Sequence, residues 1–153
     1  MDEYKILKVE AVLGRGCFYE FEDDQGNKKT ASSTNLVIVA ALSAAIVSHA
    51  TVPLDFDGVF IKRVGAFGIG ANPSSPTSGA YQVSRLATQR FPDGQDFVEA
   101  FIKGDPLEPE MAYRVYDTFL QATLVAAFYP SKYIDLDFYN SNSEILRATL
   151  TLT

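Results

Sequence analysis

The sequence predicts a mainly β, sandwich-like domain with one early buried helix. Short segments in which apolar and polar residues alternate recur along the chain, and a single long apolar run occupies residues 36–47. Phe (11 residues) and Tyr (8 residues) are frequent and Trp is absent, a composition that favours strands because aromatic side chains pack well on a pleated surface. Hydrophobic residues make up 47% of the 153 residues, which is enough for the core of one ordinary domain.

Residues 1–30 predict a β-hairpin or a small meander that belongs to the same domain as the β-rich core at residues 31–153. Two strand-like runs are separated by Gly14-Arg15-Gly16, and Gly26-Asn27 then supplies residues that tolerate positive φ in a turn. The second run alternates with the period of a strand. Its two faces carry Phe18, Glu20 and Glu22 on one side and Tyr19 and Phe21 on the other.

The early helix is predicted near residues 34–49. Ser33, Thr34 or Asn35 can cap its first turn, because a short side-chain oxygen accepts hydrogen bonds from the free backbone amides. Apolar residues cover nearly all faces of the segment, so we expect it to be buried by the domain or by a neighbouring subunit. Several β-branched residues leave a strand open as the alternative for part of it.

Beyond this helix the pattern changes to strands separated by loops. Residues 57–70 predict a strand with a glycine-rich end, and residues 71–80 predict a loop with two prolines. Two alternating runs, 81–91 and 96–104, flank a turn with the sequence PDGQ. This arrangement predicts a hairpin.

The C-terminal part also favours strands. Residues 112–130 are rich in aromatic and β-branched residues and predict one long strand or two, with a short helix near residues 122–127 as the weaker alternative. Residues 132–153 predict a hairpin that turns at residues 140–144. In the first strand of this hairpin, the inward side carries Ile134, Leu136 and Phe138, and the solvent side carries Asp135 and Asp137.

Charge and composition argue against several classes of function. The formal net charge is −6, and an acidic surface disfavours binding to nucleic acid. A single Cys and a single His exclude an internal disulfide and a Cys/His zinc site within one chain, and this Cys usage fits a reducing cytosol. The N-terminus lacks the apolar region of a secretory signal, and the run at 36–47 is too short to span a bilayer.

The glycine-rich stretch at residues 64–70 has the appearance of a phosphate-binding loop. Its spacing is G-x-x-G-x-G (Gly65, Gly68, Gly70), which is the reverse of the dinucleotide fingerprint. No Lys-Ser or Lys-Thr pair follows, and the next segment is a Pro/Ser loop and not a helix. We therefore expect these glycines to let a strand bend or to approach another backbone closely.

Two pairs of alternate carboxylates are the next candidates for a site. Asp55 and Asp57, like Asp135 and Asp137, place two acids on one strand face, a geometry that hydrolases and metal sites use. A cation shared across a subunit interface is a further alternative. Exposed strand faces commonly carry such acids, so we favour solvated strands over catalysis. The sequence predicts no catalytic, cofactor-binding or metal-binding residue.

His49, Cys17 and two arginines complete the candidates. His49 falls at the end of the predicted helix, where the helix dipole favours a cation. Cys17 is expected to be a small apolar filler at the start of a strand. Arg85 and Arg90 follow the Pro/Ser loop, and we expect them to pair with carboxylates of this chain in preference to an acidic partner.

The Pro/Ser loop and these two arginines are the predicted contact surface. Two prolines limit the conformations of the loop, so its ordering on contact costs less than that of a Gly/Ser linker. Its hydroxyl groups can bond a neighbour's backbone without fixed charge. The predicted interface residues are Asn72, Pro73, Ser74, Ser75, Pro76, Thr77, Arg85 and Arg90.

The order of three segments resembles a known group of proteins. They are STNLVIVAALSAAIV, then IKRVGAFGIGANPSSPTSGAYQVSRLATQR, then YIDLDFYNSNSEILRATLTL. An apolar helix introduced by a Thr-Asn pair, a strand with a glycine-rich end, a Thr/Pro/Ser loop and a closing hairpin follow one another. Over residues 34–152 the chain is similar to tail-collar and tail-fibre attachment modules of tailed bacteriophages.

This resemblance implies a non-catalytic virion structural protein, made in the host cytoplasm, that acts in the tail, collar or neck, or at a fibre attachment point. Its expected partners are other copies of itself, as a trimer or a ring, and other virion proteins, with no nucleic acid, membrane or cofactor. Three alternatives stay open. They are a capsid decoration or cement protein, a β-sandwich module that binds a peptide or glycan, and a small hydrolase or lyase with an acid pair.

Overall fold

The computed structural model describes residues 1–73, 75–90, 92–94, 96–104, 107–128, 132–140 and 143–153. This part of the chain is mostly β, with eleven strands and two helices. In chain order these elements are β1 (Asp2–Val12), β2 (Gly16–Glu22), β3 (Lys28–Ser33), α1 (Leu36–Val47), β4 (Thr51–Phe56), β5 (Ile61–Val64), β6 (Thr77–Ser78), β7 (Tyr81–Arg90), β8 (Asp96–Gly104), β9 (Leu107–Val115), α2 (Thr118–Phe128), β10 (Tyr133–Tyr139) and β11 (Glu144–Leu152).

The strands of the described chain form one sheet in the order β3-β2-β1-β11-β10-β7-β8-β9, with antiparallel neighbours. β4 pairs with the start of β1 and with β5, and β6 pairs with β11. Within the described residues, β10 joins β7 through two residue pairs, Tyr133 with Gln82 and Ile134 with Tyr81. The β-rich fold class predicted from the sequence is confirmed.

The N-terminal meander is part of this main sheet. β1 pairs with β2 along most of its length, and β2 pairs with β3, so that Val9 faces Tyr19 and Tyr19 faces Ala31. The opposite edge of β1 pairs with β11. The hairpins β7–β8 and β10–β11 are also as predicted. The turns predicted at residues 92–95 and 140–144, and the end of the segment 112–130, fall partly outside the described residues.

α1 forms where the sequence predicts it. The Asn35 side-chain oxygen accepts hydrogen bonds from the amides of Val37 (3.0 Å) and Ile38 (3.1 Å), which caps the first turn. Val39, Leu42 and Ile46 are buried, but Leu36 and Val37 are exposed. The helix is therefore covered by the domain on one side only.

The prediction of strands throughout residues 112–130 is wrong, because α2 occupies Thr118–Phe128. The helix begins after Asp117, whose side-chain oxygen accepts hydrogen bonds from the amides of Phe119 (2.9 Å) and Leu120 (3.0 Å). The strand pattern ends at this cap. The weaker alternative, a short helix near residues 122–127, was correct in type but shorter than α2. The chain therefore has two helices in its described part instead of one.

The core lies between the sheet and the two helices, which pack against each other and against β1, β11 and β7. Burial of each large apolar side chain stabilises the fold by about 1.5–3 kcal/mol. The largest fully buried side chains include Phe21, Ile6, Leu42, Ile46, Ile102, Leu120, Leu124, Ile134 and Leu150.

Candidate functional site

The carboxylates of β10 contact other groups of this chain. Asp135 and Asp137 are exposed on the solvent face, as predicted. Asp135 accepts a hydrogen bond from the amide of Ala80 (3.1 Å), and Asp137 lies 3.3 Å from Arg147. Among the described residues, no three His, Cys, Asp or Glu side chains are grouped so that they could hold a metal ion.

Asp57 does not share a strand face with Asp55, which corrects the prediction for this pair. β4 ends at Phe56, and Asp57 lies in the turn that follows. Its carboxylate accepts hydrogen bonds from the amides of Phe60 (2.9 Å) and Val59 (3.0 Å) and lies 3.1 Å from the Lys62 ammonium. The two amides and then Lys62 lower the pKa of Asp57 to about 2. This side chain is therefore a charged turn cap.

His49 lies just after α1, as predicted, but its surroundings disfavour a cation. Burial and then the nearby Lys132 ammonium lower the pKa of the imidazole, and these effects oppose the helix dipole. The backbone of His49 has a φ of 54°, in the left-handed region, and its Nε2 is buried without a hydrogen-bond partner in the described chain. His49 is thus a helix-end residue, as predicted, at which burial and Lys132 act against the charge that the dipole favours.

Cys17 is a buried filler, as predicted. Its side chain is fully buried at the start of β2. Burial raises the pKa of the thiol to about 11, although the Tyr19 and Thr123 hydroxyls act in the opposite direction. A thiol in this environment is a poor nucleophile, because the thiolate is the reactive form.

One glycine of the G-x-x-G-x-G stretch permits a close backbone contact, as the sequence predicts. The Gly70 amide donates a hydrogen bond to the carbonyl of Ser48 (3.1 Å), and Gly70 lies against the carbonyl of His49. At Gly68, in contrast, an added Cβ would meet nothing within 4 Å. The stretch therefore closes against the end of α1 and is not followed by a helix that could present amides to a phosphate.

The Pro/Ser loop is fastened to the body of the domain by a buried lysine. Lys132 is 4% exposed, and its ammonium donates hydrogen bonds to the carbonyls of Pro73 (2.8 Å) and Ser75. Burial lowers the pKa of this ammonium. At the other end of the loop, Thr153 donates a hydrogen bond to the carbonyl of Pro76. No local sequence pattern indicates this role, because Lys132 and Pro73 lie 59 residues apart along the chain.

The predicted loop residues differ in what they present to solvent. Asn72, Pro73 and Pro76 are exposed and Ser75 is half-buried, whereas Ser74 lies outside the described residues. Thr77 is 3% exposed, and its hydroxyl donates to the carbonyl of Tyr133. It does not offer that hydroxyl to a neighbouring subunit, which corrects the prediction for this residue.

The two predicted arginines pair with this chain's own carboxylates, as expected. Arg85 donates to Glu110 at 2.6 Å and also stacks over the Phe101 ring, 4.1 Å from its centroid. Arg90 lies 3.7 Å from Asp96 near the tip of the β7–β8 hairpin. Their role as interface residues remains a prediction.

The outer side of the two helices is a feature to which the sequence assigned no role. α1 and α2 form a shallow groove of about 450 Å³ between them. Val125 is 47% exposed and Leu36 is 44% exposed on this side. We call this surface the helix face, and its members are Leu36, Ala40, Ala44, Thr118, Gln121, Ala122, Val125 and Ala126.

The helix face carries no charge. Neither Leu36–Val47 nor Thr118–Phe128 contains an Asp, Glu, Lys, Arg or His residue. Surface helices normally place charged residues on the solvent side, and the outer side of these two helices departs from that pattern. The sequence indicated half of this surface, through the all-apolar run of α1. It missed the other half because α2 was interpreted as strand.

Comparison of the chain with protein-family models, with curated proteins and with solved structures finds no match. Neither helix of the described chain has the length and apolar character needed to cross a membrane.

Proposed function

We propose that this chain is a non-catalytic structural subunit of a bacteriophage virion. It acts in the tail, the collar or neck, or at a fibre attachment point, through contacts with its own copies and with other virion proteins. The observation that carries the proposal is the helix face, which is apolar and uncharged yet uncovered in the single chain. Contiguous apolar patches of this kind on soluble proteins mark interaction sites.

Two further observations support assembly over catalysis. The side chains considered for catalysis have other uses: Asp57 caps a turn, Asp137 pairs with Arg147, and Cys17 is buried. The order of the apolar helix, glycine-rich stretch, Pro/Ser loop and closing hairpin resembles phage attachment modules. Production in the host cytoplasm and incorporation into the particle are parts of the same proposal.

Purified particles test this function directly. Virions of the phage that encodes the chain are banded on a density gradient and probed with an antibody against the chain. We expect the chain to co-sediment with the particles, with gold-labelled antibody on the tail, neck or fibre base. Label on the capsid surface would favour the decoration alternative. A chain found only in the soluble lysate would refute the virion role.

A groove on the sheet favours a second candidate, a module that binds a peptide or glycan. Phe18 is 43% exposed and Val59 is 59% exposed beside a groove of about 430 Å³. Glu10, Glu20 and Thr30 also line it. A ring face with nearby carboxylates and hydroxyls offers apolar contact and hydrogen-bonding groups together, as ligand sites do. Binding on a glycan or peptide array that is lost in Phe18→Ala would support this candidate.

A further inference from the structure

α1 ends at a histidine in the left-handed conformation. Ser48 is the C-cap of the helix, and the next residue, His49, has a φ of 54°. Gly or Asn usually occupies this position, because most side chains are strained there. The helix end therefore carries an imidazole at a position where glycine would form the same turn with less strain.

This imidazole lies where the glycine-rich stretch, the Pro/Ser loop and Lys132 meet. Gly70 is packed against the backbone carbonyl of His49, and the imidazole forms a hydrogen bond with the backbone of Ser75. The Lys132 ammonium donates hydrogen bonds to the carbonyls of Ser75 and Pro73. Two side chains that can each carry a positive charge therefore contact the same loop residue.

The surroundings of His49 suit a neutral imidazole and not a charged one. An imidazolium has two N–H donors, whereas the neutral ring has one. Nε2 is buried without a hydrogen-bond partner in the described chain, so a proton there would be a buried donor with no acceptor. A folded loop and a charged His49 therefore oppose each other.

The charges around His49 act in the same direction. α1 has no charged residue, and the charged groups of the described chain that act on the imidazole are two cations, Lys132 just before β10 and Lys5 of β1. Burial and then Lys132 lower the pKa of His49, although the hydrogen bond to Ser75 acts in the opposite direction.

We propose that the Pro/Ser loop is an acid-sensitive latch, which is released from the end of α1 when His49 takes up a proton. With a neutral imidazole, His49 and Lys132 both hold Ser75. A proton on His49 places a second cation near Lys132 and a donor without an acceptor, and both are relieved when the loop moves away and water reaches the ring. Release changes the position of the exposed loop residues Asn72 and Pro73. The latch goes beyond the proposed function, because a single chain can show it without a partner.

The direction of the pKa change gives the pH range of the latch. When the loop is released, the imidazole has its ordinary pKa of 6.5, and when the loop is closed the pKa is lower. The contribution of His49 to closure is therefore fully present above pH 6.5 and is lost as the pH falls from there through the lowered pKa.

Two NMR measurements on the wild type test the latch. His49 is the single histidine of the chain, so its ring signals report its pKa directly, and we expect a value below 6.5. Hydrogen exchange at the amides of Gly70 and Ser75, which bond the carbonyls of Ser48 and Asn72, follows the closed loop. Their protection, corrected for the intrinsic pH dependence of exchange, should fall between about pH 7.5 and about pH 4.5. The fall should reach about tenfold for each unit by which the measured pKa lies below 6.5.

His49→Asn is the matched variant, because Asn accepts a left-handed φ but does not titrate. We expect it to stay folded by circular dichroism and to show constant protection of the same amides over this pH range. A wild-type imidazole with a pKa of 6.5 or above would overturn the latch, as would wild-type protection that does not change with pH. An equal fall of protection in His49→Asn would overturn it too. The two wild-type measurements decide the matter alone if the variant does not fold, and none of these outcomes bears on the virion role.

Discussion

Gly70 lies directly against the backbone carbonyl of His49. A Cβ atom built on Gly70 would be 1.7 Å from the His49 oxygen and 2.8 Å from the Ser48 oxygen, distances that no side chain tolerates. The Gly70 amide also donates its hydrogen bond to Ser48. The absence of a side chain at position 70 is therefore what allows the glycine-rich stretch to close on the end of α1.

Gly70→Ala should destabilise the fold strongly. The added methyl group must displace the backbone at the end of α1, and overpacking of this kind costs about 1–3 kcal/mol or more. Urea denaturation followed by circular dichroism measures the loss as a lower midpoint with an unchanged slope.

Gly68→Ala is the control for this variant. A Cβ at Gly68 would have open space, and the backbone there has no positive φ, so alanine fits without strain. We expect unchanged stability or a gain of about 0.4–1 kcal/mol, because alanine restricts the unfolded chain. Equal stability of the two variants would show that close packing is not the reason for glycine at position 70.

Cys17 should be unreactive in the native protein. Its side chain is fully buried, and its pKa is raised to about 11, so little thiolate forms at about pH 8. Ellman's reagent should therefore label it at the rate of unfolding, and immediately in denaturant. The variant Thr88→Cys adds an exposed thiol and should show one fast and one slow phase. Rapid labelling of the wild type would contradict the burial of Cys17.

The comparison of the two helices shows why one was predicted and the other was not. α1 is an unbroken apolar run of twelve residues with Asn35 as its cap, so local sequence determines it. α2 follows a strand that ends at Val115, after only two intervening residues. Its aromatic and β-branched residues favour a strand, but the cap at Asp117 and the burial of Leu120 and Leu124 against the sheet override that preference.

The residues considered as candidate sites likewise include some whose position the sequence predicts and others whose position it does not. Alternation along one strand predicted the exposed Asp135 and Asp137, because the side-chain period of a strand is local. The contact of Lys132 with Pro73 could not be predicted, because nothing near either residue identifies its partner. The helix face likewise forms only when two segments that are distant in sequence pack side by side. The local sequence pattern therefore predicted individual strands and helices, whereas the helix face results from tertiary packing.

Asp57 should make the protein sensitive to acid. Its pKa is lowered from 3.8 to about 2, so the folded state favours the carboxylate. The stabilisation is fully present above the ordinary pKa of 3.8 and is lost as the pH falls from there through about 2. Asp57→Ala should lower the melting temperature at neutral pH and reduce the further loss of stability in that acid window.

Asp55→Ala is the matched control, since Asp55 is also exposed and its side chain forms no hydrogen bond or ion pair in the described chain. We expect it to leave both the melting temperature and the acid sensitivity close to the wild type. Thermal unfolding by circular dichroism from neutral pH to about pH 2 compares the three proteins. Identical curves for the two variants would contradict the role of Asp57 as a charged turn cap.

Lys132→Met should loosen the Pro/Ser loop. The substitution keeps an unbranched side chain but leaves the carbonyls of Pro73 and Ser75 without their donor, at a cost of about 1–3 kcal/mol. We expect lower stability and faster hydrogen exchange at the described amides of residues 71–78. Lys5→Met is the control, because the Lys5 side chain is exposed and makes no hydrogen bond or ion pair in the described chain.

The pH dependence of Lys132→Met separates the hydrogen bonds from the charge. Burial lowers the pKa of the ammonium below 10.5, so the unfolded chain binds this proton more tightly. The wild type should therefore gain stability relative to Lys132→Met as the pH rises from the folded-state pKa towards 10.5.

Hydrogen exchange decides whether Lys132 anchors the loop. Equal exchange rates at residues 71–78 in Lys132→Met and Lys5→Met would refute the anchoring role. The predicted contact residues Asn72, Pro73 and Pro76 would then lack the fixed position that lowers the entropic cost of assembly.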